Sequence, residues 1–364
     1  MTSKLDINHS NGLPTVKPII ISGPCSAESP EQLMSTAQEL AKTGKINILR
    51  AGVWKPRTRP NAFEGIGEEA LQWLADAGKE THLPTSTEVA TTGHVESALK
   101  AGIDILWIGA RTTTNPFSVQ AIADALKGID IPVMVKNPIN PDLALWLGGI
   151  ERLQKAGLTK LAAIHRGFSF AGEKFYRNRP QWQYAIDFKQ AMPDIPMIND
   201  PSHICGRRDI LGKVSQKAMD LNFDGLMIES HITPDEAWSD AKQQITPEVL
   251  DEMISHLILR EYDPQNVKER TELEKLRKEI DLLDDELLNL LASRMMVAKK
   301  IGEYKKDNNI TILQSDRWQE ILDKFKSKAH NHGLSEGFIT SIIKNIHNES
   351  INQQEKILIE GQDL

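Results

Sequence analysis

The chain of 364 residues is long enough for two domains, or for one large barrel with an appendage, and its 40% hydrophobic and 26% charged content excludes a disordered, collagenous or disulfide-scaffold protein. A net charge of −7, from 43 basic and 50 acidic residues, argues against a nucleic-acid surface, so any cationic site is a local concentration. Two cysteines, Cys25 and Cys205, a polar opening (MTSKLDINHSNGLPT) and no apolar run of membrane-spanning length predict neither disulfide framework, secretory signal nor membrane span, and a cytoplasmic address.

Taken in chain order, short runs rich in Ile and Val predict strands at Ile19–Ser22, Ile46–Arg50, His82–Thr85, Ile105–Ile108, Pro132–Lys136, Leu161–His165, Pro196–Asp200 and Gly225–Glu229, with amphipathic helical stretches between them. Eight βα units in about 260 residues is the size of a closed (β/α)8 TIM barrel, whose functional groups sit at the C-terminal ends of the strands. Polar clusters follow the eight runs in turn: SGPCSAE, RAGVWKPRT, TSTE, GARTTTN, KNP, HRG, NDPSH and ESH. Any one of them is ordinary loop polarity, but all eight together point to a functional rim.

All 18 prolines lie at or before Pro264, together with 19 of the 23 glycines and six of the seven tryptophans. An α/β barrel domain over 1–264, followed by an all-α domain over 265–364, accounts for that shift, with the boundary near Tyr262-Asp263-Pro264. From Leu273 the residues Leu276, Ile280, Leu283, Leu287, Leu290, Val297, Ile301 and Tyr304 form a seam spaced three and four apart, predicting one long coiled-coil-like helix. Where an apolar residue is due at position 294 there is Arg294, and a guanidinium in a seam needs an anionic ligand or a neighbouring carboxylate.

The rim loops supply a thiol (Cys25), two imidazoles (His203, His231) and two carboxylates (Glu229, Asp240), a donor mixture suited to a divalent first-row cation. They also supply Lys55, Arg57, Arg111, Lys136 and Arg166, which implies substrates carrying several phosphates and carboxylates. Taken singly, Cys25 reads as a small core residue and Arg111 as a surface ion pair; their joint placement after successive strands carries the inference.

The order GPCS, KPRT, IGAR, VKNP, HRG, DPSH and IESH, from Gly23 to His231, resembles the metal-dependent 3-deoxy-D-arabino-heptulosonate 7-phosphate (DAHP) synthases, in the short subgroup shared with the 3-deoxy-octulosonate 8-phosphate synthases. That resemblance implies Cys25, His203, Glu229 and Asp240 as ligands of a divalent metal such as Mn2+. It implies Lys55, Arg111, Lys136 and Arg166 as the grip on phosphoenolpyruvate, and Arg57 with Thr58 as the phosphate site of erythrose 4-phosphate. Pro56-Arg57 stands where the octulosonate group has Ala-Asn, which favours the four-carbon aldehyde. Ala241 follows Asp240 where the family usually has Gly.

The tail, from about Glu274 to Gln354, resembles the all-α chorismate mutases. Arg277, Arg294, Lys305, Arg317, Ser350 and Gln354 fall on that family's binding positions, whereas Gln314 and Trp318 stand where Asp and Glu are common. The implied reaction rearranges chorismate to prephenate without acid, base or nucleophile, so what matters is gripping a dianion. Arg277 and Lys305, about 42 Å apart on one continuous helix, serve different pockets, which requires an antiparallel second chain and hence a homodimer through the helical domain. The expectation is a bifunctional enzyme whose tail also exerts feedback on the barrel. The alternatives are a tail that only dimerises and senses ligand, or a barrel that makes the octulosonate.

Overall fold

The Ile- and Val-rich runs form eight parallel strands that pair in chain order and close on one another: β1 (Ile19–Gly23), β2 (Ile48–Arg50), β3 (Thr85–Val89), β4 (Ile105–Ile108), β5 (Val133–Lys136), β6 (Leu161–His165), β7 (Met197–Asn199) and β8 (Gly225–Glu229). The closure runs from Ile19 opposite Gly225 to Gly23 opposite Glu229. The computed structural model describes residues 12–56, 62–260, 267–313 and 315–359; Arg57, Thr58 and Gln314 lie outside them. Two units separate, Met1–Tyr262 and Asp263–Leu364.

In the first unit, alternate strand residues point inward, and Ile19, Ile21, Ile48, Ile105, Trp107, Met134, Ile164, Ile198 and Met227 fill the barrel. Their neighbours, among them Ile20, Leu49, Leu106, Val135, Ala163 and Ile228, face the surrounding helices. Those helices are α1 (Pro30–Lys42), α2 (Glu69–Thr81), α3 (Thr92–Ala101), α4 (Ala110–Thr113), α5 (Pro116–Ala125), α6 (Leu143–Lys155), α7 (Trp182–Ala191), α8 (Pro201–Cys205), α9 (Leu211–Asp220) and α10 (Pro247–Ser255). Four of them start at a capping residue followed by proline. Ser29, Asn115, Asp200 and Thr246 each accept a backbone N–H of the first turn, and the next residue, proline, needs no partner for a missing N–H.

The third strand departs from the expected His82–Thr85. His82 adopts a left-handed conformation (φ 58°) as the C-cap of α2, so the chain is still turning there and extends only from Thr85. The TSTE segment, expected as rim loop, is therefore the strand itself. Its hydroxyls are buried and bonded, Thr85 Oγ1 donating to Asp104 Oδ2 at 3.0 Å and Thr87 Oγ1 to the Ala51 carbonyl at 2.8 Å.

The second unit contains α11 (Val267–Asp307, 41 residues), α12 (Ser315–Asn331) and α13 (Glu336–Ile359). α11 and α13 cross closely at Gly302, where an added Cβ would lie 3.1 Å from the Gln354 Cα. The expected seam is exposed along α11, with Leu283 at 62%, Leu287 at 55% and Leu290 at 69%, so nothing in the described chain covers it. Among the described residues no helix is long and apolar enough to cross a membrane.

Candidate functional site

At the C-terminal rim of the barrel, Cys25 follows β1 by two residues and Glu229 ends β8. The turn out of β1 needs Gly23, at φ 149°, because a Cβ there would strike the Arg50 carbonyl oxygen at 2.0 Å. Asp240, on the loop after β8, takes the left-handed conformation itself (φ 50°), and Ala241 opens the 3-10 turn that follows. One donor atom from each of Cys25, Glu229 and Asp240 lies within 4.8 Å of the others. His203 faces the same group, with Nε2 3.8 Å from Glu229 Oε1 and Nδ1 2.9 Å from Asp200 Oδ2.

Cys25, Glu229 and Asp240 each have a cation against them. Lys55 Nζ lies 2.9 Å from Cys25 Sγ, Arg50 Nη1 3.1 Å from Glu229 Oε1, and Arg177 Nη1 2.9 Å from Asp240 Oδ2. Burial, reinforced by Glu229, pushes the Cys25 thiol up to about 12 even with Lys55 and Arg50 beside it, so the sulfur is a neutral thiol here and would ionise only on binding a metal. Burial pulls the Lys55 ammonium down, but Cys25 and Glu229 more than offset it and leave it above its ordinary value. Burial opposes ionisation of Glu229 and Asp240, yet His203 and Arg50 hold the first below the usual carboxylate range, and Arg177 and His203 hold the second there. Burial pushes His203 below its ordinary value. With Nδ1 held against Asp200, the ring directs Nε2 toward Glu229, the arrangement by which a carboxylate orients a ligating histidine. A thiol, an imidazole and two carboxylates converging with this spacing fit a divalent first-row cation.

Above this cluster opens a cavity of about 370 Å³ lined by Lys55, Pro56, Glu88, Ala110, Arg111, Lys136, Ile139, Arg166, Ser169, Arg177, Asn178, His203 and Asp240. Its cations are fixed from below. Lys136 Nζ bonds Asp200 Oδ2 at 2.8 Å, and the Arg166 guanidinium donates to Asn178 Oδ1 at 2.9 Å. Burial, with Arg177 and Arg111 adding repulsion against the pull of Asp200, brings Arg166 down to about 10. Trp107 fills the top of the barrel beneath Arg50 and Lys136, its ring centroid 4.8 Å from the Arg50 guanidinium carbon. Its Nε1 donates to Glu88 Oε2 at 3.0 Å.

In the helical unit a second polar site forms between α11 and α13. Arg294 Nη1 donates to Ser350 Oγ and approaches the Ile346 carbonyl at 3.5 Å. Gln354 Nε2 donates to the Ser350 carbonyl at 3.2 Å, and Lys305, Ser350 and Gln354 are buried. Among the described residues no carboxylate pairs with Arg294. Arg277, earlier on α11, and Arg317, paired with Glu320 at 2.8 Å, are exposed.

Comparison with known proteins bears on both units. The family model for the DAHP synthetase I family matches residues 6–264, and that for chorismate mutase type II matches residues 276–355. A phospho-2-dehydro-3-deoxyheptonate aldolase of Thermotoga maritima is 32% identical over 252 residues, 69% of this chain and 71% of that one. The chain belongs to the DAHP synthetase I family. The crystal structure of the Thermotoga maritima DAHP synthase superposes with a TM-score of 0.59 at 30% identity, covering 65% of this chain and 67% of that one. A 2-dehydro-3-deoxyphosphooctonate aldolase of Francisella tularensis subsp. holarctica is 26% identical, over 67% of this chain and 90% of its own. A DAHP synthase domain and a chorismate mutase domain are thus both present in one polypeptide.

In the DAHP synthase domain, the structure brings Cys25, Glu229, Asp240 and His203 to one cluster and Lys55, Arg111, Lys136 and Arg166 to one cavity. His231 turns away: its Nε2 lies 3.5 Å from Glu28 Oε2, and its Nδ1 accepts the Thr233 N–H. Sequence reasoning missed Arg50, Glu88 and Arg177. Arg50 was visible as a charge ending an otherwise apolar strand, and Glu88 was hidden by the misplaced third strand. Arg177 lies well beyond HRG in a long loop, with nothing local to mark it. In the chorismate mutase domain one chain assembles Arg294, Lys305, Ser350 and Gln354, whereas Arg277 and Arg317 stand apart from them.

Proposed function

We propose that this protein condenses phosphoenolpyruvate with erythrose 4-phosphate to DAHP and phosphate in the barrel, and converts chorismate to prephenate in its helical domain. The observation that carries the first activity is the cation-lined cavity lying directly over a buried Cys25, Glu229, Asp240 and His203 cluster. Lys55, Arg111, Lys136 and Arg166 grip the phosphate and carboxylate of phosphoenolpyruvate, and Arg57 with Thr58 takes the sugar phosphate. Two mutually repelling anions are thereby held in line, which supplies much of the rate as orientation. A divalent ion such as Mn2+, held by Cys25, His203, Glu229 and Asp240, would polarise the aldehyde. Carbon 3 of phosphoenolpyruvate then bonds to the aldehyde carbon, whose oxygen takes a proton. Water adds at carbon 2, and its oxygen remains there as phosphate leaves. Lys55, which lines the cavity with its Nζ 2.9 Å from Cys25 Sγ, supplies the proton to the aldehyde oxygen, and Arg177 and Arg50 keep Asp240 and Glu229 ionised.

In the helical domain Arg294 holds a carboxylate of chorismate, while Lys305 and Gln354 donate to the ether oxygen on which charge develops. Arg317 and Arg277 complete the grip, the latter from a partner chain whose helix covers the exposed seam of α11. Ser350 orients Arg294. The joining of two steps of aromatic biosynthesis in one chain, in a reducing cytoplasm, also supports feedback by prephenate on the barrel. Treatment with a chelator tests the reading: condensation should vanish and return with Mn2+ while mutase activity is unmoved, and condensation that survives full chelation would refute it. Prephenate should change the condensation rate of the whole chain but not of a barrel ending near Asp263; an equal response in both would place the effector site in the barrel.

A further inference from the structure

On α13, His347, Ser350 and Gln354 recur at three and four residues and so share one helix face, the face that meets Arg294. His347 is held by a stacked contact with Trp318 of α12, ring centroids 4.3 Å apart and planes 20° from parallel. Its Nε2 is buried and has no hydrogen-bond partner among the described residues, and the same is true of Gln354 Oε1. A buried ring nitrogen left without a partner is costly unless a ligand supplies one.

The chemistry of the pocket identifies that partner. Chorismate presents two carboxylates and an ether oxygen, all acceptors, and one hydroxyl able to donate. Arg294 and Lys305 can only donate, and Ser350 Oγ already accepts from Arg294 and donates to the Ile346 carbonyl at 2.8 Å. That leaves Gln354 Oε1 and His347 Nε2 as acceptors without a partner among the described residues, and the Gln354 amide is tied through its Nε2, which donates to the Ser350 carbonyl at 3.2 Å, whereas the His347 ring is held only by its stack on Trp318. We propose that His347 is a specificity-determining residue of the mutase pocket, accepting the chorismate hydroxyl on Nε2 while Trp318 fixes the plane of its ring. Burial, and repulsion from Arg294 and Lys305, push His347 below its ordinary value, which keeps a lone pair available on the ring. The inference rests on the assignment of this pocket to chorismate, and Trp318, at a position where an acid was expected, becomes the clamp for the residue that replaces it.

The test uses the full chain with chorismate and with its analogue lacking the hydroxyl. His347→Phe keeps an aromatic ring against Trp318 but removes the nitrogen, and should lower kcat/KM for chorismate about tenfold while leaving the deoxy analogue unchanged. His347→Gln, which returns an acceptor at the same reach, should recover most of the loss, and Trp318→Leu should show the chorismate-selective defect in milder form. Equal losses on both substrates, or none on either, would overturn the proposal. Arg294→Ala separates the two layers: full chorismate turnover in that variant removes the pocket assignment and the proposal with it, whereas collapse there with no defect in His347→Phe removes the role of His347 alone.

Discussion

Arg277 and Arg294 lie on one uninterrupted helix, Val267–Asp307, and 17 residues at 1.5 Å each put them about 25 Å apart. Arg277 and Lys305 are separated by about 42 Å, several times the length of chorismate. Arg294 and Lys305, 11 residues apart, fall within about 20° of one helix face and can flank one ligand. Under the proposed function, a complete site takes Arg294 and Lys305 from one chain and Arg277 from its partner. Arg277→Ala and Arg294→Ala should each be nearly inactive alone, since a site lacking either cation cannot hold the dianion in its reactive chair. Mixed, unfolded and refolded together, the variants pair at random, so half the dimers are mixed and half the sites of those dimers inherit both arginines. Roughly a quarter of wild-type mutase activity should then return. Mutase assay with native mass spectrometry of the mixture gives both numbers. Heterodimers present without recovered activity would refute the shared site, and a monomer retaining full mutase activity would refute it more simply.

Arg50→Met leaves the fully buried Glu229 carboxylate without its guanidinium, which costs about 3–5 kcal/mol and should lower the melting temperature of the barrel by on the order of 10 °C. Adding Glu229→Gln should restore most of the lost stability without activity, and an unchanged melting temperature in the single variant would contradict the pairing. His165 should make the barrel acid-sensitive: burial holds its imidazole at about 4 against an ordinary 6.5, with Nε2 donating to the Pro180 carbonyl and Nδ1 accepting from Asn199. The folded value is depressed, so this contribution is intact above pH 6.5 and is lost as pH falls from 6.5 toward 4, about 3 kcal/mol in all. Urea midpoints followed by tryptophan fluorescence should drop over that window, and His165→Gln should flatten the drop. An equal slope in the variant would assign the acid sensitivity to other groups.

Strands β4, β6 and β8 stand where the sequence placed them because their runs are continuously apolar and bounded by turns. β3 was misplaced because its buried hydroxyls bond to groups at the ends of the neighbouring strands, and buried polarity of that kind looks the same as loop polarity in one dimension. The clustering of a thiol, an imidazole and two acids was legible because Cys25, His203, Glu229 and Asp240 lie at or after the ends of β1, β7 and β8. Arg177 was not, because its role comes from a loop that folds back over the rim and meets Asp240 only in three dimensions. The tail divides the same way. Periodicity revealed α11 and its odd arginine, but the approach of Ser350 to Arg294 depends on how α13 packs at Gly302, and the stack of Trp318 on His347 depends on α12.

The central claim is that one chain carries two independent chemistries at two sites, and one set of assays tests it most directly. Condensation and mutase rates are measured on single preparations of the wild type, Cys25→Ala and Arg294→Ala. Cys25→Ala should lose condensation by at least about 100-fold and keep mutase activity, and Arg294→Ala should lose mutase activity and keep basal condensation. Loss of both reactions in either variant, or a wild-type protein lacking one of them, would contradict the account.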